Sequence, residues 1–201
     1  MSRERADPEA PDELLMRWAA PLPRGRALDL GAGVGGAAVW LADLGFSVDA
    51  VERDPGAIRR LRRLAGKGRF RVHAGDVRDF AFPREEYVLV LALAVLHFLP
   101  REELPTLAGR IAESLRPGGL VIARVFVEEA AGEQACASGP APPRIRDELE
   151  FLPFGPGELP ELFPALRVEA YEAYRWLAPE TRRGYRSGAL LVARRPDSGG
   201  V

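Results

Sequence analysis

The stretch Ala27-Leu28-Asp29-Leu30-Gly31-Ala32-Gly33-Val34-Gly35 decides the fold of this chain. An apolar run ends in glycines at alternate positions, and a helical pattern follows over residues 37–44. Glycines at a strand-to-helix turn let the backbone approach a ligand closely. The stretch therefore predicts a nucleotide-binding turn at the start of a doubly wound α/β fold.

Strands and helices alternate on both sides of this turn over the first two thirds of the chain. This alternation predicts a mostly parallel sheet with helices on both faces and right-handed crossovers. Residues 128–143 are rich in Pro, Gly and small polar residues, which indicates a loop or lid. The predicted helices cover residues 14–18, 37–44, 55–65, 102–115 and 158–163. The predicted strands cover residues 26–30, 47–51, 69–73, 88–94, 120–126, 167–176 and 188–194.

Composition excludes several classes of protein. The 201 residues carry 28 basic and 29 acidic side chains, so no basic field favours nucleic acid. Cys136 is the single cysteine, and with only His73 and His97 besides, neither a disulfide nor a metal site is expected. The longest apolar run, residues 87–99, is too short to cross a membrane. Residues 1–12 lack the apolar core of a signal peptide, which predicts a cytoplasmic protein.

The length predicts one domain over residues 1–201. Its ends, 1–12 and 196–201, are expected to be flexible, and residues 128–157 are expected to form a loop or lid on the side of the substrate. We expect a monomer or a homodimer. The chain has no Asn and single Gln and Lys residues, which favours a thermophilic source.

The charge of Asp29 separates two ligands that such a turn can bind. Gly31, Gly33 and Gly36 also satisfy the G-x-G-x-x-G dinucleotide pattern. A dinucleotide would place its pyrophosphate near the Asp29 carboxylate, which is unfavourable. S-adenosylmethionine instead carries an ammonium and a sulfonium, so Asp29 favours S-adenosylmethionine over NAD. The alternative is that Asp29 only accepts hydrogen bonds from amides of the glycine turn.

Two further acids follow the second and third predicted strands. Glu52 lies where an acid accepts both hydroxyls of a ribose, and this fits either nucleotide. Asp76 lies at the same carboxyl edge and is a candidate to accept from the adenine amine, with Val77 offering its backbone N–H. The alternative for Glu52 is a solvated loop acid, and for Asp76 a turn cap.

The order of these motifs resembles that of the class I S-adenosylmethionine-dependent methyltransferases. The likeness covers about residues 25–127, from the glycine turn to Leu115-Arg116-Pro117-Gly118-Gly119. It implies a seven-stranded sheet whose last strand is antiparallel, and S-adenosylmethionine as cofactor with S-adenosylhomocysteine as product. The implied cofactor-binding residues are Asp29, Gly31, Ala32, Gly33, Gly35, Glu52, Arg53, Asp76, Val77 and Ala92.

A narrower likeness is to the small bacterial tellurite-resistance-type methyltransferases. It rests on residues 95–99, on residues 154–159 and on the final hairpin. The fourth strand begins Tyr87-Val88, where the family often has an acid, and it continues over residues 89–93 with no polar side chain. The Asn-Pro-Pro-Tyr type of motif is absent, which favours a small-molecule acceptor, such as a thiol or a chalcogen oxyanion, over nucleic acid or protein.

Two alternatives to methyl transfer stay open. The absence of polar side chains over residues 89–93 of the fourth strand also fits a protein that binds S-adenosylmethionine without catalysis. The dinucleotide pattern also fits an NAD-dependent oxidoreductase, which Asp29 and the lack of a Ser/Tyr/Lys relay argue against, since Lys67 is the only lysine.

Candidate catalytic residues are few. His97 follows the fourth strand and is a candidate base, with packing against the cofactor or loops as the alternative. Arg183, with Arg182 and Arg186, lies in the final hairpin, where the resemblance implies basic residues that reach the acceptor. A solvated hairpin tip is the other interpretation. A soft acceptor needs no base, because holding it in line with the sulfonium supplies much of the rate.

Overall fold

The computed structural model describes residues 13–127, 152–177 and 185–197. Its helices are α1 Glu13–Ala19, α2 Gly36–Asp43, α3 Pro55–Ala65, α4 Leu104–Ser114 and α5 Glu158–Glu161. Its strands are β1 Arg26–Leu30, β2 Ser47–Glu52, β3 Arg71–Ala74, β4 Tyr87–Leu93, β5 Leu115–Phe126, β6 Arg167–Leu177 and β7 Tyr185–Arg194.

The seven strands form one sheet in the order β3-β2-β1-β4-β5-β7-β6, and β7 runs antiparallel to β5 and β6. This confirms the predicted doubly wound α/β fold with an antiparallel last strand. The chain divides into two compact units, residues 1–81 and 82–201. No helix in the part of the chain that the structure describes is long and apolar enough to cross a membrane.

The first unit contains the parallel strands β1, β2 and β3. Helix α3 connects β2 to β3, and the side chain of its N-cap residue Asp54 accepts a hydrogen bond of 2.7 Å from the Ala57 amide. Its apolar residues, including Ile58 and Leu61, are buried, as the helical spacing predicts. Burial of this face fixes the helix against the strands.

The second unit contains β4, β5, β7 and β6. Residues 87–92 of β4 are all buried, so the apolar side chains that follow Tyr87 reflect a central position. Strand β5 begins at Leu115, five residues before the predicted start, because Leu115 already pairs with Tyr87. Gly119 lies within this strand. Glycine is required there, because a Cβ would lie 2.9 Å from two backbone oxygens, those of Arg116 and Tyr87.

The other element boundaries differ little from the predicted ones. Strand β3 begins at residue 71 instead of 69, and α5 ends at residue 161 instead of 163. Residues 1–12, most of the predicted lid, Arg182 and Arg183 lie outside the described residues. Of Arg186, the backbone lies in β7.

Candidate cofactor-binding site

The glycine turn joins β1 to α2 and lies against the end of β2. The amides of Gly31 and Ala32 donate to the Val51 carbonyl at 2.9 and 3.0 Å. Gly33 has φ +53°, and its amide points to the Glu52 carboxylate at 2.7 Å. These contacts hold the turn at the carboxyl edge of the first unit's strands, where ligands bind in α/β sheets.

Gly35 ends the turn and allows helix α3 to approach closely. Its φ is +94°, and a Cβ there would lie 2.8 Å from Leu61 Cδ2 and 3.1 Å from Leu64 Cδ1. Any larger residue would be strained at this φ, and the side chains of Leu61 and Leu64 would have to move aside. The backbone conformation and the packing within the first unit therefore both favour glycine at position 35.

Asp29 is a buried carboxyl with an unused acceptor atom. The residue is 2% exposed, and its side chain accepts a hydrogen bond from the Ala38 backbone N–H. Its Oδ2 is buried without a hydrogen-bond partner among the described residues. Burial, and then the negative charge of Glu52, raise the pKa of Asp29 to about 7. A buried acid in this state favours a cationic group, and the ammonium of S-adenosylmethionine fits it.

Glu52 supports the turn through both of its carboxylate oxygens. Oε1 accepts from the amides of Arg53 and Asp54, both at 2.8 Å, and Oε2 accepts from Gly33. Each carboxylate oxygen has about two acceptor positions, so one position on Oε2 stays open. This arrangement has room for one ribose hydroxyl beside the loop contacts, whereas the sequence predicts two.

Asp76 forms a local ion-pair cluster at the end of β3. Its oxygens accept from the Arg78 amide at 3.0 Å and from Arg78 Nε at 2.8 Å, and Arg53 Nη1 approaches at 3.2 Å. The hydrogen bonds from Arg78 lower the pKa of Asp76 to about 2, although burial opposes them. Asp76 therefore caps this turn, as the alternative interpretation predicts. Val77 is buried beside it.

Two of the predicted site residues lie in the second unit. Ala92 is fully buried in β4 and pairs with Ala123 of β5. Two residues later, Ala94 has a left-handed backbone with φ +58°, which is uncommon outside glycine. This turn redirects the chain after β4, so that His97 enters the interior.

His97 is fully buried, which the sequence does not predict for a candidate base. Its Nδ1 accepts from the Phe126 amide at 3.3 Å, and its ring lies 4.6 Å from the ring of Phe126. Burial lowers the pKa of His97 to about 3. Such an imidazole is neutral near pH 7 and is a weak base, so this environment favours the packing interpretation of His97.

Asp49 is a buried acid that the sequence interpretation missed. It is fully buried on β2 and contacts Arg26, Arg71 and His73 at 2.8, 2.9 and 2.8 Å. The sequence offered one signal for this cluster, which is the presence of charged residues on three neighbouring strands. The contact assigns a structural role to His73. Among the described residues, no cluster of three or more His, Cys, Asp or Glu could hold a metal ion.

Comparison with known proteins indicates a methyltransferase domain. Residues 27–119 match the family model of a methyltransferase domain. The chain is 27% identical over 137 residues to an uncharacterized methyltransferase, YodH, of Bacillus subtilis strain 168, and this covers 67% of the chain and 54% of YodH. The chain thus spans about half the length of this curated relative. The family match supports a methyltransferase.

Two solved structures share the fold. TehB from Haemophilus influenzae has a TM-score of 0.73 at 20% identity, covering 91% of this chain and 62% of that chain. The 1,6-didemethyltoxoflavin-N1-methyltransferase of Burkholderia thailandensis, solved with bound S-adenosylhomocysteine, has a TM-score of 0.68 at 22% identity, covering 92% and 76%. At such identities the likeness shows the fold alone.

Proposed function

We propose that this protein transfers a methyl group from S-adenosylmethionine to a small-molecule acceptor. The observation that carries the proposal is Asp29, a buried acid at the glycine turn whose Oδ2 has no partner among the described residues. A turn that binds pyrophosphate needs donors there and no buried acid. The family match over residues 27–119 and the bound S-adenosylhomocysteine of the Burkholderia neighbour support the same cofactor.

In this proposal the residues of the first unit hold the cofactor. Asp29 accepts from the ammonium, and the turn of Gly31, Ala32, Gly33 and Gly35 borders the methionine end. Glu52 accepts from the ribose through the open position of Oε2. S-adenosylmethionine supplies a methyl group on a positively charged sulfur, which is an excellent leaving group.

The adenine end of the proposed site is bordered by Arg53, Asp76 and Val77. Asp76 already accepts four hydrogen bonds from two arginines. The purine in this proposal therefore meets the backbone of Val77 and the Arg53–Asp76 pair rather than a lone carboxylate. From the second unit, the proposal retains Ala92 as a further cofactor-binding residue.

The acceptor in this proposal is a soft nucleophile, a thiol or a chalcogen oxyanion. Such an acceptor needs no general base, which is consistent with the neutral, buried His97. The shared fold with TehB supports a tellurite-resistance-type relative, and Arg183 remains a proposed acceptor contact. We also propose a cytoplasmic bacterial protein of thermophilic origin, a single domain that acts as a monomer or homodimer, with residues 128–157 covering the acceptor.

A second candidate is a protein that binds S-adenosylmethionine without catalysis. Strand β4 favours it, because residues 87–92 are buried and the residues after Tyr87 have no polar side chain to offer to an acceptor. Formation of S-adenosylhomocysteine with any acceptor would remove this candidate.

Calorimetric titration with S-adenosylhomocysteine, and with NADH in parallel, tests the proposal. We expect micromolar binding of S-adenosylhomocysteine alone, and a loss of at least tenfold in affinity for Asp29→Asn, because a buried charge-assisted hydrogen bond is removed. Asp43→Asn is the matched control, since Asp43 is exposed on α2 and pairs with Arg69. Binding of NADH without S-adenosylhomocysteine would replace the proposal with an oxidoreductase.

A further inference from the structure

Helix α3 has an exposed face that consists of arginines. Residues 55–70 carry six basic side chains and no acidic one, although the whole chain carries 28 basic and 29 acidic side chains. The apolar residues of the helix, including Ile58 and Leu61, are buried. The exposed residues that form its basic face are Arg59, Arg60, Arg62 and Arg63. The near balance of charge over the whole chain therefore conceals a strong local excess of positive charge.

The basic face of α3 differs from other exposed arginines of the first unit, which have acidic partners in the pairs Arg69–Asp43 and Arg71–Asp49. In the part of the chain that the structure describes, the side chains of the basic face form no ion pair. Their one hydrogen bond there goes from Arg60 Nε to the neutral Val34 carbonyl at 3.2 Å. No acid of the described residues therefore neutralises this face.

The spacing of these arginines is unfavourable for the helix by itself. Arg59 lies three residues before Arg62 and four before Arg63, so like charges are neighbours on the helix surface and repel each other. The helix dipole stabilises Arg62 and Arg63, which lie in the last turn. It gives no such stabilisation to Arg59 and Arg60 in the middle of the helix. An anion that spans the basic face would remove the repulsion.

The chemistry of the basic face favours duplex DNA among polyanions. Guanidinium groups donate two parallel hydrogen bonds that match the oxygens of one phosphate. Residues 55–69 include no aromatic side chain to stack on unpaired bases, and the apolar side of α3 is buried rather than free to insert into a membrane. A helix about 10–12 Å wide matches the major groove of B-form DNA, about 12 Å wide, whereas that of A-form RNA is too narrow.

We propose that the basic face of α3 is an interaction surface for the phosphate backbone of duplex DNA. The DNA is a binding partner here and not the methyl acceptor, so the surface does not depend on the proposed methyl transfer. One phosphate contact from each of the four arginines predicts that log K falls with log salt with a slope of about −3.6. Contacts to phosphate carry no sequence information, so this binding is independent of DNA sequence.

Fluorescence anisotropy of a labelled, mixed-sequence DNA duplex tests the surface between about 50 and about 200 mM salt. For the wild type we expect a Kd of roughly 10–100 μM at the lower salt concentration and the slope given above. A triple variant with Arg59→Gln, Arg62→Gln and Arg63→Gln should bind at least tenfold more weakly, and its slope should fall to about −0.9. Arg60 is left unchanged because it also donates to the glycine turn.

A second triple variant, with Arg17→Gln, Arg84→Gln and Arg116→Gln, is the matched control. It removes the same charge at exposed positions outside α3 and should keep the wild-type affinity and slope. An equal loss of affinity in both triple variants would show that net charge alone attracts DNA, and it would overturn the proposal. The single variant Arg63→Gln keeps the surface testable if the α3 triple variant does not fold. It should make the slope shallower by about 0.9.

Competition with other polyanions decides which partner the basic face fits. Duplex RNA, poly-L-glutamate and phosphatidylserine vesicles, at equal concentrations of negative charge, should each displace the labelled DNA less effectively than unlabelled duplex DNA. More effective displacement by any of the three would overturn DNA as the partner and assign the surface to RNA, an acidic protein or a membrane, respectively. A wild-type protein that does not bind the duplex at the lower salt concentration would overturn the proposal outright.

Discussion

Replacement of Asp29 by Asn should make the free protein more stable at neutral pH. Burial and the charge of Glu52 raise the pKa of Asp29 from 3.8 to about 7, about three units. One unit corresponds to about 1.4 kcal/mol, so the ionised carboxyl destabilises the folded state by up to about 4 kcal/mol above pH 7. The amide of the Asp29→Asn variant would have no charge to bury and would keep an oxygen for the Ala38 amide.

The direction of the pH dependence of stability follows from proton binding. The folded state binds the Asp29 proton more tightly than the unfolded state, so the wild-type free energy of unfolding falls as pH rises from about 4 to about 7. Urea unfolding followed by circular dichroism measures the difference between Asp29→Asn and wild type. That difference should grow by about 1.4 kcal/mol per pH unit up to pH 7 and then stay constant.

Cofactor binding should reverse the preference of the free protein for protonated Asp29. An ammonium beside Asp29 favours the carboxylate, so binding at pH 6 should release about 0.9 proton, the fraction that a pKa of about 7 leaves bound. At pH 8 the release should be about 0.1. Calorimetry with S-adenosylhomocysteine in buffers of different ionisation enthalpy measures it. No release at pH 6, or no pH-dependent slope in stability, would refute a buried acid near neutrality.

Three further predictions concern two glycines and an ion pair. Gly35→Ala should lower the free energy of unfolding by about 2–4 kcal/mol, because its Cβ would lie 2.8 Å from Leu61 Cδ2 at a φ of +94°. Gly109 lies in α4, and a Cβ there would meet nothing within 4 Å, so Gly109→Ala should raise the free energy of unfolding by about 0.5–1 kcal/mol. Urea midpoints equal to that of the wild type would contradict both glycine predictions. Arg101→Met should speed hydrogen exchange at the Gly155 amide at least tenfold, because Arg101 holds Glu158, which accepts from that amide at 2.6 Å. Unchanged exchange at Gly155 would show that Arg101 does not hold this segment.

The sequence is sufficient for the set of strands and for the position of the glycine turn. Each strand that the apolar runs predict is present, because the alternation of periods two and 3.6 depends on local sequence. The start of β5 was missed because Pro117-Gly118-Gly119 is typical of a helix end. Pairing of Leu115 with Tyr87, and the close approach of backbone oxygens to Gly119, are contacts distant in sequence that no local pattern encodes.

The candidate site was predictable in its residue types and less so in its contacts. The acid at position 29 indicates a cationic ligand, but its burial and raised pKa depend on packing around β1 and α2. Asp76 illustrates the limit. A lone acid after β3 fits an adenine contact, whereas the side chains of Arg53 and Arg78 reach it only once the turn has formed. His97 likewise gains its neutral character from burial beside Phe126.

Glu52 and Asp29, two acids of the first unit, thus have opposite effects on the stability of the free protein. Glu52 stabilises the turn, because three amides donate to its carboxylate. Asp29 destabilises the free protein, because its carboxyl is buried with one hydrogen bond from Ala38 and one unused oxygen. A cation at Asp29 removes that penalty, while a pyrophosphate would increase it. We therefore propose that the turn selects between two nucleotide cofactors by the buried charge of Asp29, and that the same charge links cofactor affinity to pH.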